Sequence, residues 1–272
     1  MNNNKGTALI TGASSGIGAV YADRLAKRGF DLILVARNRS RLEALATQLI
    51  DKTGRSVSPF VADLTNKTDV ARVEQVLKTD SKITMLVNNA GFGAVSPLLQ
   101  SDVEKMDEMV SLNIGALMRL TYAAVPGFVE RDNGTIINIS SIVAVHPELL
   151  NGVYGATKAF VLALTQSLHH ELASTPVRVQ AVLPGATSTE FWDIGGKPVE
   201  ELPAEIVMSA TDMVDAALSG LDMGELVTLP ALPDVADWHA YEHARKTLMP
   251  NLSRAAAAER FLVAGNSTKS SG

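Results

Sequence analysis

Thr7-Ala8-Leu9-Ile10-Thr11-Gly12-Ala13-Ser14-Ser15-Gly16-Ile17-Gly18 is the stretch whose reading decides the fold. Residues 7–11 form a short apolar strand. Glycines follow at 12, 16 and 18, and then a helical period through Val20, Leu25 and Arg28 that Gly29 stops. A glycine-rich turn between strand and helix can bend tightly and approach a pyrophosphate. The helix N-terminus behind it adds free N–H groups and the positive end of a dipole. Taken alone, such a turn also fits a plain strand–helix connection, so its surroundings have to be read.

Outward from that turn, strands and helices alternate. Asp31–Ala36 is a continuous apolar run, as in a parallel strand buried on both faces. Ser40-Arg41-Leu42-Glu43 reads as a capping box opening a helix with Leu42, Leu45, Ala46 and Leu49 on one face. Val57–Ala62, Ile83–Asn88, Thr135–Ser140, Val177–Leu183 and Glu225–Leu229 read as strands, and Thr68–Leu77, Val153–Ala173 and Ser209–Leu221 as helices. Ser101-Asp102-Val103-Glu104 reads as a second capping box, starting a long helix that reaches Glu130. This pattern predicts an α/β fold: a Rossmann-type, doubly wound, seven-stranded parallel sheet with helices on both faces.

The 272 residues fit one large domain, with a core at about 5–230, a helical extension at 231–264 and a frayed tail at 265–272. The extension packs either on the core or on another subunit. With 46% hydrophobic and 19% charged residues, the composition is that of an ordinary globular protein. The net charge of −5 and the lack of a Lys/Arg run argue against nucleic acid and against a basic membrane patch. The absence of cysteine excludes disulfides, thiolate metal sites and a catalytic thiol. Met1–Lys5 has no apolar signal core, and no stretch approaches the ~20 apolar residues of a membrane span, so a cytoplasmic location is expected.

The second strand ends at Ala36-Arg37. An acidic residue there would accept from a ribose 2′-hydroxyl and select NAD; a guanidinium pairs instead with a 2′-phosphate. The expectation is NADP(H), held by Arg37 with Ser14 and Ser15 adding hydroxyl donors. The bland alternative makes Arg37 a solvated charge, as Arg39 and Arg41 are expected to be. Tyr154 and Lys158 stand four apart, on one helix face. A nearby ammonium favours the phenolate and lowers the tyrosine pKa toward a useful range, so the pair can pass a proton to or from an oxygen. His169-His170 have no third ligand at useful spacing, and no metal site is expected.

Thr11-Gly12-x3-Gly16-x-Gly18, Asn88-Asn89-Ala90-Gly91 and Tyr154-x3-Lys158, in this order and on these elements, resemble the classical short-chain dehydrogenase/reductase family over roughly residues 5–230. The resemblance implies cofactor contacts from Gly12, Ser14, Ser15, Gly16, Ile17 and Gly18; Ser15 stands where many members carry a second basic residue. It implies an acid, Asp63, with Leu64 against the adenine, and Asn89, Ala90 and Gly91 along the adenine ribose. Asn88 is either a tie between strands or a cofactor contact. Pro184-Gly185 would turn the chain beside the nicotinamide, with the Thr187 backbone meeting the carboxamide. Thr189 would reach the carboxamide or a phosphate, or else cap a helix.

In the family a serine thirteen residues before the tyrosine polarises the carbonyl, which in this chain is Ser141; Ser140 reads as structural. Asn113 is unfavourable inside a helix. The family explains it as a kink that holds a water linking the lysine to solvent. A catalytic set of Asn113, Ser141, Tyr154 and Lys158 follows. Phe92, Val143, His146, Leu149, Leu150, Phe191 and Trp192 are candidates for a mostly apolar substrate pocket. The implied activity is NADPH-dependent reduction of a ketone or aldehyde, or the reverse oxidation. The alternative is a non-catalytic NADP(H)-sensing or scaffold protein of the same fold, which the presence of Tyr154 and Lys158 disfavours. A homodimer or homotetramer through the long helices is also implied.

Overall fold

The computed structural model describes residues 5–261. Chain contacts divide the protein into two compact units that meet between Ala231 and Leu232. In the first, strands β1 (Thr7–Thr11), β2 (Asp31–Ala36), β3 (Val57–Val61), β4 (Ile83–Asn88), β5 (Thr135–Ile139) and β6 (Arg178–Val182) alternate with helices. These are α1 (Gly16–Lys27), α2 (Arg39–Thr53), α3 (Lys67–Thr79), α4 (Val103–Val110), α5 (Leu117–Glu130) and α6 (Gly152–Glu171). After β6 come β7 (Thr187–Ser188), the short α7 (Phe191–Gly195), β8 (Met208–Ser209), α8 (Ala210–Met223) and β9 (Val227–Thr228). The sheet order is β3-β2-β1-β4-β5-β6-β9, all parallel, as the alternation predicts. The order reverses between β1 and β4, and the carboxyl ends of strands at such a point are where ligands bind.

The strand period of two feeds both faces. Ala8 and Ile10 pack with Leu25 of α1, Leu42 of α2 and Leu218 of α8 in one cluster. Leu9 joins Val73 of α3 and Leu120 and Phe128 of α5 in the other. Strands this buried have no polar face, which is why they read as unbroken apolar runs.

Three expectations change. Helix α2 is capped by Asn38, whose side chain accepts from the Arg41 N–H at 3.0 Å. Ser40 already lies in its first turn, donating to Asn38 Oδ1, so the cap falls two residues earlier and the expected capping box does not form. Likewise Asp102, not Ser101, caps α4; Ser101 turns back to the carbonyls of Ser96 and Pro97. Third, the continuous helical run Val103–Glu130 is as long and apolar as a membrane span. Its apolarity is that of a core helix, since Leu117, Leu120, Ala123, Ala124 and Phe128 are buried, most of them in the second cluster.

In the second unit, Asp234 caps α9 (Val235–Thr247), where Trp238 and Tyr241 stack at 5.1 Å. A 3-10 turn at Met249–Asn251 follows. The expected extension beyond Phe261 and the frayed tail lie outside the described residues.

Candidate active site

The turn after β1 is braced by the corner after β4. Thr11 Oγ1 accepts from the Asn89 and Ala90 N–H groups, each at 3.0 Å, and Asn89 Nδ2 donates to the carbonyls of Thr11 and Gly12. Gly12 has a left-handed φ of 64°. A Cβ on Gly18 would lie 2.3 Å from the Gly12 carbonyl oxygen and 2.6 Å from Asn89 Nδ2. Thus Gly12 and Gly18 are demanded by protein packing, not only by approach to a ligand. Asn89 acts first as the clamp of this turn. Asn88 follows its structural alternative: its Nδ2 donates to Thr121 and Asn138, tying β4 to α5 and β5. Its Oδ1 is buried with no partner among the described residues.

Ser15 is the N-cap of α1, yet its side chain caps nothing there, and the first-turn N–H groups have no partner within a helix. Arg37 is exposed at the end of β2. Arg41 is not a free surface charge, because it pairs with Glu190 at 2.7 Å, and Ser15 also bonds that carboxylate. The Glu190 carboxyl is lowered from its ordinary pKa chiefly by Arg41. Asp63 Oδ1 accepts from the N–H and hydroxyl of Thr65, and Leu64 is buried beside it.

Tyr154 and Lys158 sit in the first two turns of α6. Asn151 caps that helix, accepting from Val153 and Tyr154 N–H groups, while its Nδ2 donates to the Ser96 carbonyl and Ser101 hydroxyl. Sequence reasoning missed Asn151; an Asn just before a helical period is the signal that could have found it. The Ser141 hydroxyl hydrogen-bonds the Tyr154 phenol. It also donates to the Pro184 carbonyl at 3.4 Å. Ser140 instead bonds the Lys158 carbonyl at 2.8 Å and holds β5 to α6. Lys158 is buried, 5.7 Å from the Tyr154 ring centre, and donates to the Ile139 carbonyl at 2.9 Å.

These environments reverse one expectation. Burial raises the Tyr154 pKa, and the Ser141 bond offsets this only in part. Burial also pulls Lys158 down to about 8. The ammonium points at a backbone carbonyl, not at the phenol, so desolvation outweighs charge–charge help.

The helix interruption expected at Asn113 is a π-helical stretch, Ser111–Ala116, between α4 and α5. Such bulges are frequent at functional sites. Asn113 is buried. Its Nδ2 donates to the Phe92 carbonyl at 2.9 Å and to Thr157 at 3.1 Å, and its Oδ1 accepts from the Phe92 N–H. A Cβ on Gly91 would lie 2.8 Å from Asn113 Oδ1 and 3.7 Å from Lys158 Nζ, so this corner touches both.

Around Tyr154, Phe92, Val143, Leu150 and Phe191 gather in one apolar cluster. Met106 and Met109 of α4 and Ala94 join them. Sequence reasoning missed these three, although the spacing of the two methionines puts both on one helix face. His146 does not join the cluster; it is exposed and its Nδ1 lies 2.7 Å from Glu148. Leu149 is also exposed. Trp192 is buried and donates to the Thr187 carbonyl at 2.9 Å. Thr187 and Ser188 pair with β8. Thr189 Oγ1 accepts from the Phe191 N–H, in keeping with its capping alternative.

Residues 6–195 match the family model for short chain dehydrogenases. An oxidoreductase of Staphylococcus epidermidis is 35% identical over 227 residues, covering 82% of this chain and 96% of that one. A short-chain dehydrogenase from Sphingobium yanoikuyae, solved in complex with NADPH, superposes with a TM-score of 0.92. It is 48% identical and covers 94% of this chain and 100% of its own. The bulky-bulky ketone specific alcohol dehydrogenase from Comamonas testosteroni gives 0.88 at 44% identity, covering 96% and 100%. The parallel seven-stranded sheet, the glycine turn clamped by Asn89 and these likenesses agree: the chain is an oxidoreductase of the classical short-chain dehydrogenase/reductase family.

Proposed function

We propose that the protein is an NADPH-dependent carbonyl reductase in which Ser141, Tyr154, Lys158 and Asn113 form the working set. The observation that carries this reading is the pair Tyr154 and Lys158 on one buried helix face, with the Lys158 Nζ 5.7 Å from the Tyr154 ring centre and Ser141 beside the phenol. The exposed Arg37 and the first-turn N–H groups of α1 fit a phosphorylated dinucleotide. When bound, the cofactor supplies the hydride. Ser141 then orients the ketone oxygen and stabilises the charge that develops on it. Tyr154 gives that oxygen its phenolic proton, so carbon gains the hydride, oxygen gains the proton, and an alcohol results.

Burial keeps Tyr154 as the neutral phenol, the form that gives its proton in reduction, and the same group takes the proton in the reverse oxidation. Lys158 restores the proton to Tyr154 and offers donors to the ribose hydroxyls. Asn113 holds the Gly91–Phe92 corner against α6 through Thr157. The NADPH-bound and ketone-specific neighbours support the same substrate and cofactor class. A homodimer or homotetramer through α5 and α6 belongs to this reading; Tyr122 of α5, 71% exposed, is a side chain that a second copy would cover.

The test is NADPH consumption, followed at its nicotinamide absorbance, against aliphatic, aromatic and keto-ester carbonyls. Tyr154→Phe is expected to lower turnover about 10²–10⁴-fold while NADPH affinity stays within a factor of about two. A variant that still turns over would assign the acid elsewhere. NADPH binding by the wild type without turnover of any carbonyl would favour the sensing or scaffold reading.

A further inference from the structure

We propose that Phe191 decides the size of ketone that reaches Tyr154, and that Gly93 is the seat holding its ring over the phenol. A substrate's aryl or cycloalkyl group takes the place of that ring. This rests on the carbonyl-reductase reading above.

The Phe191 ring lies 5.6 Å from the Tyr154 ring at 48°, and 5.6 Å from Trp192, edge-on at 85°. A Cβ on Gly93 would stand 2.3 Å from Phe191 Cζ, 2.8 Å from its Cε2 and 3.2 Å from Tyr154 Cε2. The missing side chain at 93 is therefore filled by the Phe191 ring, and any larger residue would evict it. With the ring seated against it, Tyr154 is 5% exposed, and the Phe191 ring is one of the side chains that cover it.

The two neighbouring aromatics differ in how they are held. Trp192 is buried and tied to the Thr187 carbonyl by its indole N–H. Phe191 is only partly buried, and a phenyl ring has no hydrogen bond to hold it. The backbone tie between the Gly93 loop and the end of α7 is long, Val95 N–H to Gly195 carbonyl at 3.4 Å. Phe191 is thus the movable member. When its ring leaves, the space it vacates is apolar and ring-sized, bounded by Tyr154, Trp192 and the Gly93 backbone. An aryl or cycloalkyl substituent fills that volume. A propan-2-ol-sized ligand needs only a tilt of the ring.

The test is binding of diphenylmethanol and of propan-2-ol to the NADPH-loaded protein, a pairing that cannot turn over, read by tryptophan fluorescence. Phe191→Ala is expected to tighten diphenylmethanol about tenfold or more and to leave propan-2-ol within about twofold. Phe191→Leu is expected to give an intermediate gain. Adding Gly93→Ala to Phe191→Ala is expected to remove the gain, because the new Cβ occupies the seat. The proposal falls if both alcohols respond equally, if neither responds in any variant, or if the double variant keeps the gain. Benzophenone reduction by the same variants separates the two readings. The binding pattern without NADPH consumption would sink the reductase and keep the seat; consumption without the pattern would do the opposite.

Discussion

The first bend of the glycine turn is clamped by one corner, Asn89–Ala90, whereas Tyr154 is held by several separate segments. Ser141 bonds its phenol, Asn151 caps its helix, Gly93 and Phe191 cover its ring, and Asn113 anchors the neighbouring Phe92 corner. The first region leaves Arg37 exposed at its mouth; the second buries an ammonium and a phenol. The second carries a desolvation cost, visible in the lowered Lys158 and raised Tyr154.

The largest expected effect probes that cost. The folded pKa of Lys158, about 8, lies below its ordinary 10.5. Holding the ammonium at neutral pH therefore destabilises the folded state, and the penalty fades as pH rises from about 8 toward 10.5. Lys158→Met is expected to stabilise the cofactor-free protein by up to about 3 kcal/mol at pH 7, with the gain shrinking over that window. Chemical denaturation at pH 7 and at pH 10 measures it. An unchanged or destabilised variant at pH 7 would erase the contrast between the two regions.

Next in size is the exposed end. Arg37→Ala is expected to weaken NADPH by about 2 kcal/mol and to leave NADH affinity and folding stability unchanged. Equal loss of both cofactors, by titration calorimetry, would return Arg37 to a solvated charge. The smallest effect is local. Asn38→Ala is expected to cost about 1 kcal/mol through the lost cap of α2, and Ser40→Ala clearly less. The reverse order in thermal unfolding would restore the cap to Ser40.

How much of the molecule is legible in its sequence follows the range of each interaction. The alternation of strands and helices, the glycine turn and the Tyr154–Lys158 face rest on period and spacing, which a short stretch of chain displays. Arg41 is the surface residue its place in the sequence implies, and only its pairing with Glu190, remote in sequence, is not legible there. His146 and Leu149 read as pocket walls because they follow β5, yet they lie on the exposed side of their turns. Met106 and Met109 stay hidden because nothing local distinguishes a pocket methionine from an ordinary core one.

The sequence by itself determined the order of the elements, the turn that bends at Gly12 and the helix face shared by Tyr154 and Lys158, because backbone geometry and side-chain period act over a few residues. Only the tertiary structure decided that Phe191 seats against Gly93, that Asn113 grips Phe92 and that burial sets the protonation of Tyr154 and Lys158. Those depend on which distant segments exclude water from the same volume, and desolvation is a property of the packed fold and not of any one stretch of chain.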